Sequence, residues 1–521
     1  MDALADSLKV IADWITQHIT MWALIATGLF LTVVTRGVQV RHLPTMIRQV
    51  ASSRSGAAGG ISSFQAFAIS LAARVGVGNV FGVAAALLYG GPGAVFWMWV
   101  VALVGMATAF FEATLAQIFK VRAPDGSFRG GPAFYMARGM GGAGGRVMAG
   151  VFAVITLVTC GFIITSVQSN AVAGTLVAAL GGGEGSALPG FGGLSAAQLV
   201  VAGLVLVLTA VVVFGGIRAV ARVTEWMAPV MALIYIVLVA VVCLLNLGDF
   251  WRVIGRIISS AFAPEPLVGG LGGGVLAAVI NGTKRGLFSN EAGQGTAPNA
   301  AATATVAHPV QQGLIQSLGV FVDTIVVCTA TAFVILIAGP DTWTAPGANP
   351  STLTTLAIAH GLGGWTVLPM AVLIFVLAYS SIIAAYVYTD VNMDYLTGGR
   401  RWASWTVRVV SVASATAGAV LSLDVVWNAV DIAMAVMTLT NLVALIRLHR
   451  WGTGALRDYE DQLRAGAAEP VFRGRDNPRL PGDVPGGVWS SSDDDVTAAD
   501  ADDGSTPAPP AASPAPATTE E

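Results

Sequence analysis

The 521-residue sequence predicts an all-α integral membrane protein of about eleven transmembrane helices, arranged as two inverted five-helix repeats with one broken helix in each. Three observations carry this. Hydrophobic residues make up 55% of the chain and charged residues 11%, with a mean hydropathy of +0.72, far from the balance of a soluble domain. The apolar residues gather into runs near the length of about 20 that crosses a bilayer. Lysine and arginine alternate from one inter-run segment to the next, as cytoplasmic loops require.

The runs lie near residues 20–36, 62–90, 93–120, 148–178, 196–214, 223–246, 271–290, 308–338, 366–396, 406–421 and 424–446. Residues 1–19 carry acids as well as a lysine and lead into no convincing cleavage site, so the first run reads as a retained helix behind an extracytoplasmic segment. Basic residues cluster at 36–54, 120–146, 218–222, 284–285, 400–408 and 447–450, 18 in all, against Lys9, Arg252 and Arg256 on the other side. An odd number of spans then places the N-terminus outside and the C-terminus in the cytoplasm of a multi-pass protein, expected in a bacterial inner membrane. Residues 20–452 form the transmembrane domain. From residue 453 the chain turns acidic and rich in Pro and Ala, and 453–521 reads as a disordered cytoplasmic tail, a solvating appendage before a regulatory one.

Several classes are excluded. The formal charge of −3 comes without a basic stripe, so nucleic acid is no partner; the bilayer is. Cys160, Cys243 and Cys328 stand singly in apolar runs, without the spacing of a metal or redox site. No hydrolase or NTPase motif occurs, so neither catalysis nor an organic cofactor is expected.

Chemistry is expected where the helices are damaged. "ARVGVGN" interrupts the second run, and backbone polar groups freed inside a bilayer are tolerated where they line a cavity or site. Gly76 and Gly78 permit unwinding, Asn79 adds a side-chain carbonyl, freed N–H groups suit a carboxylate, and freed carbonyls suit a small cation. The alternative is close helix packing through small residues. A second interruption follows five runs later, at Asn281, Gly282 and Thr283 and then Ser289, Asn290 and Glu291. Gln168, Ser380, Ser381, Asp323, Asp431 and Asn441 are isolated polar groups in other runs. Serine hydroxyls are hard oxygen ligands suited to sodium. Buried carboxylates are paired or functional, and Asp323 and Asp431 leave proton coupling open. Glu112 and Glu291 serve as helix caps or loop locks. Arg74, beside the first break, holds a protein carboxylate in preference to substrate, because a fixed cation opposes sodium.

"GVGNVFGVA", "GGPGAVFWMWVVALVGMATAFFEATLAQ", "FRGGPAFYMARG" and "KRGLFSNEAGQGTAPNAAA" closely resemble the alanine or glycine:cation symporter family, the sodium:alanine symporters, from about residue 20 to 450. The resemblance implies a neurotransmitter:sodium symporter type fold of the APC superfamily and uptake of alanine or glycine, D-alanine included, with co-transported sodium. It implies a carbonyl from Val75, backbone groups from Gly76 and Gly78 and a side chain from Asn79 around the break. It further implies Gln168 facing substrate and Ser380 with Ser381 completing a second sodium site. Val77 stands where family members commonly have Thr or Ser, and Phe81 where they have a small residue. On both grounds the expected substrate ligands are Gly76, Gly78, Asn79, Gln168, Asn281, Gly282 and Thr283, and the sodium ligands Val75, Asn79, Ser380 and Ser381.

Overall fold

The computed structural model describes residues 2–52, 61–123, 126–179, 194–263, 274–345, 348–420 and 423–489. We number its main helices α1 (Val10–Val34), α2 (Ser63–Arg74), α3 (Val83–Gly90), α4 (Gly93–Ile118), α5 (Gly142–Val177), α6 (Ala196–Val213), α7 (Gly216–Leu245), α8 (Gly274–Asn290), α9 (Ala297–Ala301), α10 (Pro309–Ile337), α11 (Gly364–Thr397), α12 (Arg401–Gly418) and α13 (Leu423–Arg464). Each of the eleven expected runs is helical among the described residues, the second apart from its break at Val75 and Gly76. Among the described residues, eight helices are long and apolar enough to cross a membrane, nine if the bent pair around residue 76 is one span. The two remaining runs fall short of eleven for a chemical reason. α8 is 17 residues long and carries Lys284 and Arg285, and α12 carries Arg401, Arg408 and several hydroxyls.

α4 and α11 lie at the centre, whereas α6 and α7 expose rows of apolar side chains, such as Val207, Val211, Leu233 and Leu244, as helices facing lipid do. α4 packs along α10 and α8; α11 packs on α5 and α2. Both contacts bring the ends of α2 and α8 into the middle of the molecule. A short antiparallel hairpin, Val121–Arg122 with Phe128–Arg129, follows α4.

The charge reading needs one correction. Lys284 and Arg285 sit within α8, not in a loop: the Lys284 ammonium reaches Asp13 at 2.5 Å and Asp431 at 3.5 Å, and Arg285 also reaches Asp431 at 3.5 Å. Asp431 thus has its structural partners.

The tail boundary shifts as well. α13 runs unbroken to Arg464, and residues 465–489 fold back as a strap, so disorder does not begin at 453. Phe472 donates its N–H to the Ala307 carbonyl at 3.0 Å, the Trp489 indole donates to the Gln117 carbonyl at 3.0 Å, and Arg138 donates to the Pro485 carbonyl at 2.8 Å. Residues 490–521 lie outside the described residues.

Candidate functional site

α2 begins at a capping box, in which Ser62 accepts from the Gln65 N–H and the Gln65 side chain accepts from the Ser62 N–H. It ends at Val75, whose ψ of 76° turns the backbone out of the helix; a π-helical turn, Gly78–Gly82, carries the chain into α3 at a 45° bend. Two helix termini therefore meet inside the protein. The last carbonyls of α2 supply partial negative charge, and the start of the next turn supplies partial positive charge.

Side chains from three other helices converge on this break. The Ser380 hydroxyl donates to the Ala72 carbonyl at 3.0 Å, and Ser381 donates to Ala72 and Ala73 at 3.0 Å each. This is an all-oxygen cluster of the kind that suits a hard cation. Gln168 of α5 accepts from the Val77 N–H at 3.3 Å. Asn79 accepts the Gly76 N–H at 3.0 Å through its carbonyl and donates its amide to Asp323 Oδ1 at 2.6 Å. A Cβ at 76 would collide with Ser381 Oγ, and one at 78 would sit tightly, 3.1 Å from Phe288 and from the Ser289 Cα.

Asp323 joins this break to the second one. Its other oxygen accepts from Ser289 at 2.7 Å and from Thr324 at 2.8 Å, and Ser289 is the penultimate residue of α8. The carboxylate is fully buried, with three donors from three segments. Cys328, expected only to pack, contacts both Asn79 and Ser289 at 3.3 and 3.1 Å. Thr331 donates to the Asn79 carbonyl at 2.7 Å.

The second break lies at residues 291–296, between α8 and α9, at the far end of the expected stretch: Glu291 falls within it, whereas Asn281, Gly282 and Thr283 lie about ten residues before it. Glu291 adopts a φ of 56°, and Gly293 and Gly295 have φ of 92° and 80°, conformations that end a helix. Glu112 of α4 accepts the freed N–H groups of Gly293 and Gly295 at 3.1 and 2.8 Å, and Asn441 donates to the same carboxylate at 2.6 Å. Tyr135 in turn donates to Asn441. Glu112 is therefore a loop lock. Asn281, Gly282 and Thr283 stand within intact α8, away from this cluster. The Asn281 amide donates to the carbonyls of Ala277 and Tyr89, and Gly282 lets α4 approach, since a Cβ there would lie 2.5 Å from the Ala94 carbonyl oxygen.

Arg74 is buried and donates to the Gln316 carbonyl at 3.1 Å, within electrostatic reach of Glu112, Glu291 and Asp323 but in direct contact with none of them. It balances a nest of buried carboxylates from a distance. The structure thus brings Gly76, Gly78, Asn79, Gln168, Ser380 and Ser381 together with buried Val75, and leaves Asn281, Gly282 and Thr283 outside. Sequence reasoning missed the Ala72 and Ala73 carbonyls and Thr331. Backbone carbonyls carry no sequence signal, and Thr331 is one of many threonines in apolar runs.

The sequence profile described as the sodium:alanine symporter family matches residues 1–474. The chain belongs to that family. Among its relatives, the amino-acid carrier protein AlsT of Bacillus subtilis is 40% identical over 482 residues, covering 92% of this chain and 97% of its own. The probable sodium/glutamine symporter GlnT of the same organism is 38% identical, covering 88% of this chain and 92% of its own. The sodium/alanine symporter AgcS of Methanococcus maripaludis is 36% identical over 434 residues, covering 82% and 90%. As a member of the sodium:alanine symporter family the chain is a multi-pass membrane transporter, and its conspicuous polar cluster sits where two helices are interrupted.

Proposed function

We propose that this chain is a sodium-coupled importer of a small neutral amino acid, alanine or glycine first, working by alternating access about the two breaks. The observation that carries the reading is the junction at residues 72–79. An all-oxygen set from Ala72, Ala73, Ser380 and Ser381 lies at the negative end of α2, and N–H groups with Gln168 and Asn79 lie at the start of the next turn. Sodium takes the first set, with Val75 and Asn79 as further oxygen donors; the substrate carboxylate takes the second. Each solute replaces internal hydrogen bonds of its set with bonds of its own. The names of AgcS and AlsT agree with such a cargo, while that of GlnT extends the candidates to glutamine. One sodium ion entering down about 100 mV supplies about 2.3 kcal/mol, enough for a gradient on the order of 50-fold in a neutral solute. In this reading the membrane is a bacterial plasma membrane, with the N-terminus outside and the C-terminus inside.

Asp323 gives proton coupling its specific footing, because a buried carboxylate tied to both breaks is placed to carry a proton. Uptake of alanine into proteoliposomes under an imposed sodium gradient, an imposed proton gradient, or neither separates the two readings. Uptake that follows sodium, and is lost in Asn79→Ala and Ser381→Ala, is the expected result. Uptake that follows protons and disappears in Asp323→Asn overturns sodium coupling.

A further inference from the structure

At the end of α1 nearest Arg36 the structure holds a polar cavity of about 250 Å³, whose lining includes no residue of either break. Its lining is dominated by arginine. Arg36 and Arg41 follow α1, Arg457 and Arg464 lie on α13, and Arg479 comes from the strap. Two carboxylates oppose these five cations, and both are already shared. Glu460 accepts from Arg41 at 2.8 Å, from His42 at 2.9 Å and from Arg464 at 3.3 Å. Asp461 accepts from Arg464 at 2.7 Å and from Arg479. The guanidinium groups of Arg36 and Arg457 make no hydrogen bond or ion pair among the described residues.

Arg36 is also held in place by its backbone. Its φ of 56° is uncommon outside glycine, and the turn is fixed by Arg41, which donates to the Arg36 carbonyl at 3.0 Å and the Thr35 carbonyl at 2.9 Å. Such a cluster of forked donors matches a phosphate group, which accepts several N–H bonds at once. The apolar surroundings say where the phosphate comes from. Val34, the last residue of α1, lines the cavity, and Leu29, Phe30 and Val33 below it are exposed, Val33 by 73%. A chain lying along that strip ends with its headgroup at the arginines.

We propose that this cavity binds the phosphate of an anionic phospholipid, tying α1, α13 and the strap together at the headgroup level. Anionic lipid phosphates favour basic pockets at this depth.

Full-length protein in a neutral detergent, given equal amounts of phosphatidylglycerol and phosphatidylcholine and examined by native mass spectrometry, tests it. Wild type retains phosphatidylglycerol in preference. The double variant Arg36→Gln/Arg457→Gln binds it on the order of 25-fold more weakly, about fivefold per arginine. Arg36→Lys/Arg457→Lys keeps most of the preference, and Arg401→Gln, an exposed arginine elsewhere, keeps all of it. No preference in wild type, a double glutamine variant that binds as wild type does, or an equal loss in Arg401→Gln overturns the proposal. Inorganic phosphate is the second arm. Saturable phosphate binding to wild type, lost in the double variant and accompanied by no lipid preference, overturns the lipid source and assigns the site to a soluble phosphate. If the glutamine pair fails to elute as folded protein, the single variants Arg36→Gln and Arg457→Gln, each expected to bind phosphatidylglycerol about fivefold more weakly, decide the same question, and wild-type binding in both overturns the proposal.

Discussion

The Asp323 carboxylate shows how much of this site depends on single side chains. It accepts from Asn79, Ser289 and Thr324. Removing an acceptor from buried donors costs about 1–3 kcal/mol for each donor stranded, so Asp323→Ala is expected to lose several kcal/mol of stability. Asp323→Asn, which keeps one acceptor oxygen, loses less. Thermal melting of the detergent-solubilised variants measures the difference, and equal melting would remove the bridge from the account. Gly76 makes a complementary case. Gly76→Ala forces a methyl against Ser381 Oγ and is expected to lower the melting temperature and abolish uptake. Adding Ser381→Ala is expected to restore much of the melting temperature without restoring sodium-dependent uptake, because the space returns while an oxygen donor is lost.

At the scale of elements, the first break was legible and the second only in part, for a definable reason: Ser289 and Glu291 stood in the expected stretch, but so did Asn281, Gly282 and Thr283. Gly76, Gly78 and Asn79 form a local signal, and the interruption they predict closes within five residues of chain. The second break is made by Glu291, Gly293 and Gly295 together with a carboxylate from α4, 181 residues away in sequence at Gly293. No local pattern reports such a partner. Asn281, Gly282 and Thr283 misled because a glycine that admits a neighbouring helix looks the same in sequence as one that unwinds its own. Asn281→Ala is accordingly expected to leave the apparent affinity for alanine within about twofold, since its removal costs only surface hydrogen bonds. Glu112→Ala is expected to abolish transport by releasing the 291–296 loop, with limited proteolysis at that loop as the direct readout. The π-helical turns at Gly78–Gly82, Thr159–Ile164 and Phe321–Cys328 were equally invisible, although such turns recur at functional sites and two of these three supply Asn79 and Asp323.

The whole molecule is larger in its ordered extent than composition implied. The acidic, Pro-rich chain after residue 453 looked unable to fold alone, which is correct reasoning about an isolated segment. Residues 465–489 pack because α13 and the loop before α10 offer them partners, including the T-shaped contacts of Phe472 with His308 and Trp489. His308 is buried there and caps α10, accepting the Val310 N–H on Nδ1 at 3.2 Å while its Nε2 faces Asp458 at 3.1 Å. Burial holds this imidazole below its usual 6.5 despite Asp458, so its neutral form belongs to the folded state. The stabilisation is complete above about pH 6.5 and is lost as pH falls through the lowered value. Melting temperature is expected to drop on acidification from pH 8 to pH 5, with a shallower slope in His308→Gln. Trp489→Ala is expected to cost about 2 kcal/mol, less than a fully buried Trp because this one is only half-buried. α13 itself has a mechanical corollary. Its 42 residues make a rod of about 63 Å at 1.5 Å per residue, twice the hydrocarbon thickness. If it stays straight, tilting one end by about ten degrees sweeps the other through about 11 Å on that length. A small rocking among buried helices thus becomes a displacement large enough for a pair of spin labels or fluorophores at its far end to follow transport turnover by turnover.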